Sequence, residues 1–182
     1  MIEWVIIGGI LYMGSGDKKT AVTNKDFKRF DPLLKKYASQ FGLDFHLMRA
    51  ICMKESTFGY HPRVARGLAA PSDVEGSKSE DGKSWGVMQV TVPTARDYDT
   101  SATAEKLNNP EYCIRIAAQY LAWLSLRFPV TDPRRTEWMI KAYNQGLGNT
   151  NKERNGTISK GFANDYFNLV VGFYKQSKEG TI

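Results

Sequence analysis

Apolar positions recur every three or four residues along several stretches of the chain, and helix start and stop signals bound each stretch. Leu33, Leu34, Tyr37 and Ala38 share one face of a helix that Asp31-Pro32 opens with a capping side chain and an early proline, and that Gly42 ends. Asp44 caps the next helix, whose apolar face runs through Met48, Ile51 and Cys52. Asn109-Pro110 repeats the start signal ahead of Ile114, Ala117, Ala118, Leu121, Leu124 and Phe128, and Asp132-Pro133 repeats it ahead of Trp138, Ala142 and Tyr143, with Gly146 as the stop. Phe162, Tyr166, Leu169, Val170 and Phe173 stripe a last helix. No run reads as a convincing strand. Gly67 to Ser84 is a polar loop rich in Gly and Ser, and no internal repeat is present. The predicted organisation is an apolar N-terminal arm (1–16), a basic linker (17–30), one mainly α domain (31–176) and a C-terminal tail (177–182).

Glu55 breaks this pattern. Met48, Ile51 and Cys52 lie seven, four and three residues before it, so helical spacing puts a carboxylate on an apolar face while Lys54 points elsewhere. Apolar surroundings desolvate the charged form and favour the protonated acid near neutral pH, which is what a general acid requires. The competing reading is a helix-end Glu that turns to solvent or meets an Arg.

Composition narrows the chemistry. With 182 residues and 42% hydrophobic content the chain can bury a core without disulfides or a structural metal. Cys52 and Cys113 both fall within helical apolar patterns, where free buried thiols are the usual state. His46 and His61 match no metal-ligand spacing and no Gly-rich phosphate loop exists, so neither a metal nor another cofactor is expected. The net charge of +6 suits an anionic partner, whether nucleic acid, an acidic membrane surface or an anionic wall polymer.

Met1 to Gly14 is almost wholly apolar, yet shorter than the roughly 17–25 residues of a spanning helix. Glu3 stands where a secretory signal would carry Lys or Arg, and no cleavage site follows. Lys18, Lys19, Lys25, Lys28, Arg29, Lys35 and Lys36 form a basic flank suited to anionic headgroups, so residues 1–16 are a candidate membrane anchor. An apolar arm packed on the domain or on a partner subunit is the alternative. If the arm spans, the basic flank holds the domain on the cytoplasmic side.

Three motifs in order, Glu55-Ser56, Gly86-Val87-Met88-Gln89-Val90 and Ala142-Tyr143-Asn144-Gln145-Gly146, resemble the Glu-Ser, Gly-Leu-Met-Gln and Ala-Tyr-Asn-x-Gly motifs of the soluble lytic transglycosylase family. Pro93-Thr94-Ala95, Leu107-Asn108-Asn109-Pro110, Tyr120-Leu121 and Tyr166-Phe167-Asn168-Leu169-Val170 also resemble segments of that family, so the similarity covers Asp31 to Tyr174. The resemblance implies a mainly α, lysozyme-like domain of the goose-type lysozyme and lytic transglycosylase kind. It implies peptidoglycan glycan strands as partner rather than nucleic acid, cut between N-acetylmuramic acid and N-acetylglucosamine with Glu55 as lone acid and then base. By the same resemblance Ser56, Met88, Gln89, Tyr143, Asn144 and Tyr166 are substrate-site residues. Ser56 would support the turn after Glu55, and the Tyr166 hydroxyl would hold Glu55. Two departures stand out: the loop from Tyr60 to Ser84 is longer than the family's, and Arg66-Gly67 stands where the family has a substrate-contacting Ser.

The resulting expectation is a lytic transglycosylase that forms 1,6-anhydro-muramyl ends, carried in a bacteriophage virion or viral membrane for entry or lysis and acting on host periplasmic peptidoglycan. A bacterial inner-membrane location facing the periplasm is the alternative. The functional alternatives are a goose-type-like muramidase, which would use water, and a non-catalytic, membrane-associated glycan-binding or virion structural protein.

Overall fold

The structure is a computed structural model that describes residues 4–7, 10–13, 26–67, 83–159, 161 and 163–182. Some of its helix starts are set by local capping and others by distant side chains. In α1 (Asp31–Phe41) Pro32 sits in the first turn as expected, but Asp31 does not cap: the N-cap is Phe30, which supplies no side-chain bond. The Asp31 carboxylate instead takes a 2.6 Å hydrogen bond from Nε of Arg49, which is 2% exposed and also donates to the carbonyls of Phe27 and Ile182. A buried guanidinium without partners would be costly, so the ion pair outcompetes the cap. Gly42 ends α1 in the left-handed conformation, and Asp44 caps α2 (Phe45–Ser56) by accepting from the Leu47 amide at 3.1 Å.

Asn109 caps α6 (Pro110–Ser125) by accepting from the Tyr112 amide. Asp132 does not cap α7 (Arg135–Gln145). Its Oδ1 accepts from the Arg134 amide two residues on, its Oδ2 pairs with Arg154 at 3.2 Å, and the helix begins later than Asp132-Pro133 implied. Gly146 ends α7, and the last helix, here α9, spans Ala163–Glu179 with Tyr166 and Val170 buried and Leu169 exposed. Phe162, placed on that stripe by its spacing, lies outside the described residues. Ser177 and Ile182 are buried, so the segment read as a tail packs against the domain. Shorter helices α3 (Pro62–Ala65), α4 (Val92–Arg96), α5 (Ala104–Leu107) and α8 (Leu147–Arg154) complete the helical set.

Four short strands depart from the all-helical reading. Trp4–Ile7 (β1) and Ile10–Met13 (β2) pair antiparallel, with Trp4 opposite Met13 and Ile7 opposite Ile10. The described part of the arm is therefore a strand pair and not a helical span. Gly8-Gly9 interrupts the apolar run, and Val5, Ile6, Ile7 and Ile10 favour extended backbone. Among the described residues no helix is long and apolar enough to cross a membrane. Ser84–Trp85 (β3) and Val90–Thr91 (β4) form a second pair around the Gly86 turn. The rest of the arm, most of the linker and loop residues 68–82 lie outside the described residues.

The core is centred on α2, whose Met48, Ala50, Ile51 and Cys52 are fully buried beneath α9, α1 and the Gly86 turn. α6 packs on α1 and α7, and α7 packs in turn on α8 and α9. Cys52 and Cys113 are free and buried, and burial pushes both thiols up, Cys113 to about 12.

Candidate active site

Glu55 occupies the last turn of α2, where the helix stops abruptly. Thr57 takes the left-handed C-cap conformation, and Phe58 and Gly59 continue with positive φ. Ser56, 1% exposed, fastens this end: its hydroxyl donates to the Val87 carbonyl at 2.7 Å and accepts from the Gly59 amide at 2.8 Å. The acid-bearing turn and the Gly86-Val87-Met88-Gln89 turn are thus joined at their backbones. Gly86 has no substitute there. Its φ is +72°, and a Cβ would meet the Leu107 carbonyl oxygen at 2.0 Å and Cys113 Sγ at 2.7 Å. The same turn holds Gln89 at φ 50°, with its side-chain amide donating to the Gly86 carbonyl at 2.7 Å.

Across from this turn, the Tyr143 hydroxyl of α7 donates to the Met88 carbonyl at 2.7 Å. Burial, followed by the nearby Glu55 charge, holds the Tyr143 phenol well above its ordinary value, so it stays a neutral donor. From α9, the Tyr166 hydroxyl donates to Glu55 Oε1 at 2.5 Å, and Lys54 Nζ sits 5.5 Å from the Tyr166 ring. α2, α7, α9 and the Gly86 turn therefore converge on one carboxylate.

The resulting cleft encloses about 310 Å³ and is lined by Glu55, Ser84, Gln89, Val90, Thr91, Thr94, Tyr120, Tyr143, Asn144, Gln145 and Gly146. Glu55 is the one acid in that wall among the described residues. The Tyr120 ring packs 5.6 Å from that of Tyr143 and stacks at 6.1 Å on Trp123, and burial raises its hydroxyl. A larger cavity of about 570 Å³ lies between α7 and α9, lined by Leu47, Met139, Phe167, Val170 and Tyr174 among others, and contains none of the candidate site residues. The smaller cleft is the candidate chemical site because it gathers Glu55 with the polar side chains of Gln89, Asn144 and Gln145. Among the described residues no three His, Cys, Asp or Glu side chains are placed to hold a metal ion.

Of the residues singled out from the sequence, Glu55, Gln89, Tyr143 and Asn144 line the cleft. Tyr166 stands behind Glu55, while Ser56 and Met88 are buried beneath the floor, where they support it instead of facing a ligand. Ser84, Thr91, Thr94, Tyr120 and Gln145 also line the wall but were not singled out as site residues. One signal for them was local: Thr91, just before Val92-Pro93, caps α4 by accepting from the Thr94 amide at 3.2 Å, which fixes both threonines at the rim.

A mainly helical domain whose described residues set one carboxylate, Glu55, in a polar cleft with aromatic walls is of the lysozyme-like class. The model of the transglycosylase SLT domain matches residues 32–166, and the chain belongs to that family. The chain is similar to the membrane-bound lytic murein transglycosylase F of Hahella chejuensis (strain KCTC 2396), with 27% identity over 139 residues, which are 75% of this chain and 23% of that protein. It is similar likewise to the protein of that name from Haemophilus influenzae (strain PittEE), with 26% identity covering 75% of this chain and 24% of the relative. The chain thus spans about a quarter of the length of these relatives.

Proposed function

We propose that the domain is a peptidoglycan lytic transglycosylase that cuts the β-1,4 bond between N-acetylmuramic acid and N-acetylglucosamine. The observation that carries this reading is Glu55, the one acid among the described lining residues, held by the Tyr166 hydroxyl at 2.5 Å. Protonated Glu55 donates its proton to the glycosidic oxygen as the bond to the anomeric carbon breaks, and the acetamido oxygen of the muramyl residue stabilises the developing positive charge. The Glu55 carboxylate then removes the proton of the muramyl 6-hydroxyl, whose oxygen closes on the anomeric carbon. The 1,6-anhydro ring forms, Glu55 is protonated again, and no water is consumed. Gln89, Tyr143 and Asn144 contact the sugar beside the scissile bond, and Tyr120 offers a ring face.

Mass spectrometry of digests of purified peptidoglycan tests the reading. Wild type is expected to release muropeptides lighter by one water than lysozyme products, and Glu55→Gln to release none. Anhydro products that persist in Glu55→Gln would sink the assignment, and ordinary reducing ends from wild type would instead support a goose-type-like muramidase. We carry two places of action forward. One is a virion that delivers the domain to the host wall. The other is an inner membrane facing the periplasm; the relatives are named membrane-bound. Probing purified virions and membrane fractions for the chain separates them.

A further inference from the structure

A buried ion cluster that the mechanism does not use lies directly beneath Gln145 in the cleft wall. Glu137, Lys141 and Gln145 are spaced by four and form one stripe of α7. Lys141 is fully buried, with Nζ 2.6 Å from Glu153 Oε1 on α8 and 3.0 Å from Glu137 Oε1, and Arg134 pairs with Glu137 from the other side at 2.6 Å. Arg134 and Lys141 thus face two carboxylates, and Lys141 pairs with Glu153 inside the domain.

The second oxygen of Glu153 reaches Gln145, accepting from its Nε2 at 2.9 Å, while Thr150 Oγ1 lies 3.3 Å from the same nitrogen. Thr150 spends its own proton on the Gly146 carbonyl at 3.0 Å, so toward Gln145 it can only accept. Both partners of the Gln145 amide are therefore acceptors without a proton to give, which fixes the side chain with nitrogen inward. Turned the other way, the amide oxygen would face a carboxylate oxygen at hydrogen-bond distance. Gln145 Oε1 accepts nothing from the described residues and is not among their buried, unpartnered atoms, so it is accessible on a residue that lines the cleft.

We propose that Gln145 is a specificity residue whose locked carbonyl oxygen accepts the acetamido N–H of an N-acetylated sugar, with Glu153, Thr150 and Lys141 as its positioning residues. A sugar hydroxyl can turn to donate or accept and gains little from a fixed acceptor. An amide N–H only donates, so a fixed acceptor selects for it. This inference rests on the glycan-cleft reading and deepens it.

The test measures binding of chitotetraose and cellotetraose by calorimetric titration to a chain carrying Glu55→Gln, so that turnover plays no part. Adding Gln145→Met is expected to weaken chitotetraose binding about three- to tenfold, the worth of one neutral hydrogen bond, and to leave cellotetraose binding unchanged. The paired change Lys141→Met with Glu153→Gln removes both charges together and leaves neither stranded; it frees the amide to turn and is expected to give a similar loss with little change in melting temperature. Unchanged chitotetraose affinity in both variants would overturn the proposal. So would equal weakening for the two sugars, which moves the donor to a hydroxyl, or a fall in melting temperature with affinity intact, which makes the cluster merely structural. If the Glu55→Gln chain binds neither sugar, the cleft reading itself fails and this one falls with it.

Discussion

Tyr166→Phe removes one oxygen atom and tests whether Glu55 is tuned from α9. The ring stays buried among its neighbours, and the 2.5 Å bond to Glu55 Oε1 is lost. A hydrogen bond to a charged acceptor contributes about 1.5–3 kcal/mol, and much of that favours the carboxylate over the neutral acid. Losing that preference makes Glu55 a weaker acid. Because cleavage begins from protonated Glu55, the alkaline limb of the kcat/KM profile should move upward. The maximal rate should fall about ten- to hundredfold, since a weaker and less firmly held acid protonates the leaving oxygen more slowly. Release of anhydromuropeptides from purified peptidoglycan, followed across pH for both proteins, reads both quantities, and a thermal melt checks the fold. An unmoved limb with an unmoved rate would refute the coupling, and a limb displaced toward acid would refute its sign.

Gly86→Ala is expected to cost about 3 kcal/mol or more in denaturant unfolding, because the new methyl must clear the Leu107 carbonyl while the backbone keeps φ +72°. Ser56→Ala should cost about 1–3 kcal/mol by the same measurement, since the Gly59 amide and Val87 carbonyl lose their shared partner, and activity should fall with it as the two turns part. The bond from Arg134 holds Glu137 down at about 2, against an ordinary 4.5. A lowered acid contributes stability that is present above its ordinary value and is lost as pH falls toward about 2; the loss should be on the order of 2–3 kcal/mol in wild type and absent in Glu137→Gln, as read from unfolding curves at successive pH values.

What could be read from the chain was mostly local. Asp44 and Asn109 cap as expected because a cap needs only its own next turn. Asp31 and Asp132 carry the same signal and fail it, because Arg49 and Arg154 arrive from other helices and take their carboxylates. The short β3–β4 pair carries no alternation to detect, and the arm's strands are apolar at almost every position, so period two is hidden. Glu55, Gln89, Tyr143 and Asn144 announce themselves as polar or aromatic groups within motifs, whereas Tyr120 and Thr94 stand in family-like segments whose place in the cleft wall only the fold reveals. Lys141 was invisible for a different reason. A lysine in a helix is read as solvated, and nothing short of the fold places Glu137 and Glu153 around it.

The bond between Tyr166 and Glu55 joins residues 111 positions apart. Glu55 is made before Tyr166, in a helix that can form from its own cap and apolar face, but its hydroxyl partner arrives only when α9 has been made and docked. A domain assembled in this order has no finished acid until that helix is in place. Copies in which α9 is missing or undocked would therefore be silent, and docking of α9 acts as the release on the chemistry proposed for Glu55.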